Sequence, residues 1–151
     1  MAPAFPVNTN AQEERDVKEL TVEASLENIT AVTAFIDGQL EALDCPMKAQ
    51  MQLDVAIDEL LGNIAHYAYG DTTGDATVRF DFDEATRTAS VTFIDSGVPF
   101  DPLAKADPDV TLSAEERAIG GLGIYMVKKS MDRVEYSREN GYNVLVIYKR
   151  I

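Results

Sequence analysis

The spacing of apolar and polar positions changes several times along the chain, and each change marks an element. Val17, Leu20, Val22 and Ala24 intersperse with Lys18, Glu19 and Glu23, which predicts a strand. Ser25 follows as a candidate helix cap. Leu26, Ile29, Val32, Ile36, Leu40 and Leu43 recur at steps of three and four, the mark of a helix laying one face on a sheet. Pro46 ends that helix, because its ring disfavours helical backbone at Cys45. A second helix is predicted from about Met47 to Tyr69, with Leu53, Ile57, Leu60, Leu61, Ile64 and Ala68 as its apolar stripe and Gly70-Asp71 as its stop.

The period then drops to two. Val78, Phe80 and Phe82 alternate with Arg79 and Asp81, and Ala89, Val91 and Phe93 with Ser90 and Thr92. The polar stretch 83–88 joins them as a hairpin. From Ser96 to Ile119 periodicity fails, and Pro99, Pro102 and Pro108 stand among acids. A loop of that length inside a small domain is usually functional or disordered. Gly120-Gly121-Leu122-Gly123 opens a third helix carrying Ile124, Val127 and Met131. Strands follow at 134–137 and 142–149, with Asn140-Gly141 supplying a tight turn. Helices grouped against one mostly antiparallel sheet predict an α+β fold in two layers. Residues 1–15 read as a disordered tail and 16–151 as one domain.

Composition narrows the function classes. With 13 basic against 26 acidic residues the net charge is −13, and no basic run is present. That argues against direct nucleic-acid binding and against an anionic membrane surface. A single cysteine, Cys45, excludes an internal disulfide and a cysteine zinc cluster. With no membrane-length apolar run and no secretory signal pattern, the expected location is cytoplasmic.

Three constellations could carry chemistry. Glu59, Asn63 and His66 share one side of the second helix, away from its apolar stripe. The Asn63 amide oxygen suits Mg²⁺, and the Glu59 carboxylate can accept a proton or orient a nucleophile. Taken alone, such a pair reads more readily as a solvated helix face. Asp95-Ser96-Gly97 follows a strand; the carboxylate could accept from an exocyclic amine such as that of adenine, and Gly97 would let a flat ligand approach the backbone. Alone it is also an ordinary turn. Gly120, Gly121 and Gly123 around Leu122 at a helix start favour phosphate over a merely flexible helix opening.

In this order and spacing the three constellations match a known pattern. The chain resembles the ATP-binding domain shared by gyrase, the Hsp90 chaperone, histidine kinases and MutL, and within it the stand-alone anti-sigma factor and serine-protein kinase family of bacteria. The resemblance rests on Asp58-Glu59-Leu60-Leu61-Gly62-Asn63-Ile64-Ala65-His66-Tyr67-Ala68-Tyr69, on Ile94-Asp95-Ser96-Gly97-Val98-Pro99-Phe100-Asp101-Pro102 and on Ile119-Gly120-Gly121-Leu122-Gly123-Ile124. It extends through Met131-Asp132-Arg133-Val134-Glu135-Tyr136 and covers about residues 17–151.

The resemblance implies a mixed, mostly antiparallel sheet under a helical layer, with ATP between the helices and a lid over about 98–119. It implies Asn63 on Mg²⁺, Glu59 as base or water-orienting group, Asp95 on the adenine amine and Gly97 beside the base. Gly121 and Gly123 fall at the phosphates, with Gly120 and Leu122 in the same motif and His66 lining the pocket. Better-known members carry an arginine two residues before the first glycine of their motif; here that position is Ile119, and the nearest arginine is Arg117. Lys105 is the one lysine in this acidic lid. The activity implied is Mg²⁺- and ATP-dependent phosphorylation of a serine on an anti-anti-sigma partner, with a sigma factor as a second partner. The alternative is a binding module gated by nucleotide without transfer. Apolar residues on the first helix are assigned to core packing, with a homodimer as their other use.

Overall fold

The computed structural model describes residues 18–104 and 122–151. Strand β1 (Lys18–Glu23) leads through a short 3-10 turn (Leu26–Asn28) into α1 (Ile29–Ala42), then α2 (Met47–Tyr67). Strands β2 (Asp75–Asp83) and β3 (Thr88–Asp95) follow, then α3 (Leu122–Ser130), β4 (Arg133–Glu139) and β5 (Tyr142–Arg150). The start of the first helix is wound as the 3-10 turn, and Ser25 makes no side-chain cap there. Instead, the Asn28 side-chain amide donates to the Glu23 carbonyl at 2.8 Å and fixes the turn.

The sheet order is β1-β2-β3-β5-β4, and every pairing among the described strands is antiparallel. Strand β5 therefore separates β3 from β4, so the chain crosses over between them and carries α3 on the way. The β4–β5 turn has Asn140 at φ 52° and Gly141 at φ 85°. Both central residues are left-handed, as a two-residue hairpin of the favoured hand requires. Alternation along the strands aligns Val78 with Phe93 and Phe80 with Val91, then Phe93 with Leu145 and Val91 with Ile147. These side chains form one core with Val32, Ile36 and Leu40 of α1, Leu53, Ile57 and Leu60 of α2, and Val127 of α3. The α+β two-layer architecture is thus observed. No helix among the described residues is long and apolar enough to cross a membrane.

One polar contact lies between the first two helices. Asp37 of α1 and Asp54 of α2 each bury one carboxyl oxygen, Oδ1, and no hydrogen-bond donor among the described residues reaches either. Burial first, and then the hydrogen bond and charge of Asp37, push Asp54 up to about 7. The Arg87 guanidinium is held elsewhere, donating to the carbonyls of Leu43 and Ile151. Burial also pushes the nearby Cys45 thiol up, against the lowering influence of Arg87. Because the folded state holds the Asp54 proton more tightly than the unfolded chain, the stabilisation is full at low pH. It is lost as pH rises from about 4 through about 7. Asp54→Asn keeps a neutral partner for Asp37 at every pH. Thermal melts should show the variant more stable than the parent at pH 8 by about 1 kcal/mol after solvent screening, or about 2–4 °C, with the gap closing by pH 4. Parallel pH profiles for the two proteins would remove the raised proton affinity of Asp54.

Candidate nucleotide site

A cleft opens where the C-terminal half of α2 passes over the ends of β3 and β5. Leu60 and Ile64 of α2 and Phe93 and Leu145 of the sheet give it apolar walls, into which Asn63, Asp95 and Asn143 project polar groups. Tyr67 and Phe100 stand at its mouth, their ring centroids 6.1 Å apart, and both are substantially exposed. Apolar walls with a few convergent polar groups are the usual make-up of a small-molecule site.

The helix periodicity that buries Leu60 and Leu61 turns Glu59 and Asn63 away from the core centre, and both are half-buried. Asn63 lines the cleft. Glu59 meets α3: a Cβ placed on Gly123 would overlap the Glu59 carboxyl group. The carboxylate thus lies against the first turn of α3, where unpaired N–H groups and the helix dipole favour negative charge. His66 is exposed and does not line this cleft, whereas its neighbour Tyr67 does. Leu122 is exposed at the start of α3. Arg117, Gly120 and Gly121 lie outside the described residues, as do Lys105, Ile119, the tail 1–15 and most of the expected lid at 98–119.

Asp95 ends β3 and is 5% exposed. Its Oδ1 accepts from the Gly97 N–H at 2.9 Å and from the Asn143 amide at 3.0 Å. Among the described residues no donor reaches its other oxygen, which leaves Oδ2 as the acceptor available in the cleft. Burial pushes Asp95 above the ordinary carboxylate range, opposed by the hydrogen bonds from Asn143 and Gly97 and by the charge of Arg138. Gly97 is required by close approach: a Cβ there would overlap the Ala68 carbonyl at the end of α2, the same carbonyl that accepts from the Val98 N–H at 2.8 Å. Tyr69 supports the turn from the other side, its hydroxyl donating to the Asp75 carbonyl and accepting from the Ser96 N–H at 3.0 Å.

Fold and motif geometry together agree with the comparisons to known proteins. The histidine kinase-like ATPase domain family matches residues 22–149. The chain belongs to that family. It is 28% identical over 130 residues to the serine/threonine-protein kinase BtrW of Bordetella bronchiseptica, covering 84% of this chain and 90% of the relative. It is 25% identical over 132 residues to the serine-protein kinase RsbW of Bacillus cereus, covering 85% and 81% respectively. Among solved structures it is similar to the RsbU and RsbW domains of Rv1364c from Mycobacterium tuberculosis, with a TM-score of 0.63 and 14% identity. That match covers 89% of this chain and 32% of the other, and it bears on the fold alone.

Three residues at or behind the cleft escape a reading of single motifs. Asn143 and Tyr136 of the β4–β5 hairpin line the cleft, and Arg138 of the same hairpin donates to the Gly97 carbonyl; sheet pairing brings them there and sets Asn143 directly opposite Asp95. The available signal was one polar residue opening the apolar run 144–147. Its partner could not be read without the strand order.

Proposed function

We propose that this chain is an Mg²⁺- and ATP-dependent serine-protein kinase of the anti-sigma type, acting on an anti-anti-sigma partner in the cytoplasm. The observation that carries the reading is the convergence of Asp95 and Asn63 on one cleft, with Gly97 holding Asp95 through its N–H and Gly123 and Glu59 in contact with each other. The kinase names of the relatives support it. The residues fit a nucleotide. Asp95 is a buried residue whose Oδ2 has no donor among the described residues, and the absence of side chains at Gly97 and Gly123 lets the 95–98 turn pack on the end of α2 and the Glu59 carboxylate pack on the start of α3. Asn63 offers one oxygen, enough for an ion that keeps its waters and arrives on phosphates. In this reading the ion is held jointly by Asn63 and the nucleotide. When bound, Mg²⁺ neutralises charge on the phosphate oxygens.

In the reaction we infer, the partner's serine oxygen attacks the γ-phosphorus. The bond from that phosphorus to the bridging oxygen breaks, and ADP leaves with the electron pair. The hydroxyl proton passes to the Glu59 carboxylate. The domain would run from about 16 to 151, with a lid over about 98–119 as part of the same reading. A sigma factor would be the second partner, bound while the first is phosphorylated or absent.

The test is label transfer from ATP to a serine-bearing partner encoded beside the protein, run next to an ATP titration. Tight ATP binding without transfer would leave the nucleotide-gated binding module, a reading that Ile119 in the arginine position already favours. Asn63→Ala supplies the metal test. The variant should keep its melting temperature within about 2 °C of the parent, as surface changes away from the core usually do. It should also lose the Mg²⁺-dependent gain in ATP affinity. Equal Mg²⁺ enhancement in variant and parent would remove Asn63 as the ligand.

A further inference from the structure

We propose that Asn143 is a positioning residue for base selectivity: it holds the Asp95 carboxylate and the 98–100 backbone that carries Phe100 into the cleft in one register. This rests on the nucleotide reading and adds to it a residue that no motif of the sequence supplies.

Asn143 is 5% exposed at the start of β5. Its Nδ2 donates to Asp95 Oδ1 at 3.0 Å and to the Val98 carbonyl at 2.8 Å. Its Oδ1 accepts from the Phe100 N–H at 3.3 Å and from the Tyr136 hydroxyl. The orientation of the amide follows from these partners. A flipped amide would set its oxygen against a carboxylate and a carbonyl, neither of which can donate. An amide nitrogen has two hydrogens and an amide oxygen two lone pairs, so all four capacities are used. Asn143 therefore has nothing left to offer a ligand, although it lines the cleft. Its effect on a ligand must pass through what it holds.

What it holds is both sides of the base site. Asp95 forms the floor, and its Oδ1 is pinned by Asn143 and Gly97, which leaves Oδ2 toward the cleft. Phe100 lines the wall and faces Tyr67 at the mouth, and the segment that carries it is tied down at the Val98 carbonyl. The same hairpin supplies a second brace, since Arg138 donates to the Gly97 carbonyl at 2.8 Å. A carboxylate free to rotate would present either oxygen, or none, to the exocyclic amine of adenine. A carboxylate held at one oxygen presents an acceptor only, which suits adenine and opposes the carbonyl that guanine carries at the same place.

The test is titration of ATP and of GTP into the parent, Asn143→Ala, Asp95→Asn and the double variant. The parent should prefer ATP by about tenfold or more, the cost of facing two acceptors at a buried site. Asn143→Ala should weaken ATP about tenfold and shrink the preference over GTP to about threefold or less. In the Asp95→Asn background the same change should cost less than about threefold, because residues that act through one another are not additive. Asn143→Asp keeps the size and both acceptor sites but loses both donors. It should weaken ATP at least as much, and it answers the question if the alanine variant fails to fold. ATP affinity within about twofold of the parent in either folded variant overturns the proposal, as does an equal Asn143→Ala penalty with and without Asp95. A parent that binds neither nucleotide overturns the nucleotide reading itself, and this inference with it.

Discussion

Glu59→Gln should cut phosphotransfer to the serine-bearing partner by about a hundredfold or more, the usual contribution of a positioned general base. ATP affinity should change by less than about tenfold, or about 1.4 kcal/mol. The glutamine keeps the length of the side chain and its contact with Gly123, so the packing of α2 on α3 survives. What is lost is the basic oxygen. A group that acts on transfer more than on binding lowers the rate while leaving the nucleotide in place. Label transfer measured beside a binding titration separates the two quantities. Unchanged transfer would remove Glu59 as the base without removing the kinase. A fall in affinity as large as the fall in transfer would make Glu59 a binding or structural group at the start of α3. The position of Glu59 against that first turn gives the second outcome a physical route, since the carboxylate also complements the helix dipole there.

The period of the apolar residues was enough to read the elements. Steps of three and four located α1 and α2, and alternation located β2 and β3, because burial of one face imposes those periods directly. Helix α1 starts later than its apolar stripe, since Leu26–Asn28 is wound more tightly. Periodicity cannot distinguish a 3-10 turn from an α turn over so few residues. The site was legible in part. Asp95, Gly97, Glu59, Asn63 and Gly123 sit in short contiguous motifs, so the resemblance reached them, and the fold brings Asn63 and Asp95 to one cleft, with the Gly97 N–H bonded to Asp95. Asn143, Tyr136 and Arg138 were not legible because their contribution depends on which strand lies beside β3. Strand order is a property of the sheet and of the α3 crossover, not of local pattern. His66 shows the opposite limit. Helical spacing put it on the side of Glu59 and Asn63, yet the cleft is reached by its neighbour Tyr67. A difference of one residue on a helix is about 100°, enough to move a side chain from the wall to solvent.

Two glycines of the quoted motifs should respond oppositely to the same added methyl group. At Gly97 the new Cβ meets the carbonyl and Cβ of Ala68. Those atoms belong to the end of α2 and cannot rotate away as a side-chain tip could. Gly97→Ala must therefore part the 95–98 turn from α2, breaking the Val98 to Ala68 hydrogen bond and disturbing the Gly97 N–H that holds Asp95. Overpacking of this kind costs about 1–3 kcal/mol, so the melting temperature should fall by about 3–10 °C. ATP affinity should fall about tenfold to a hundredfold, because the displaced turn carries the Asp95 acceptor. At Gly62, inside α2, an added Cβ meets nothing within 4 Å. There the methyl group only removes backbone freedom from the unfolded chain, and Gly62→Ala should stabilise by about 0.5–1 kcal/mol with ATP binding intact. Melts and ATP titrations of the two variants check both signs at once. A Gly97→Ala protein that melts and binds ATP like the parent would show that the turn can yield at no cost. It would also separate Gly97 from the base site. A destabilised Gly62→Ala protein would mean that the outer face of α2 is covered by a group not among the described residues.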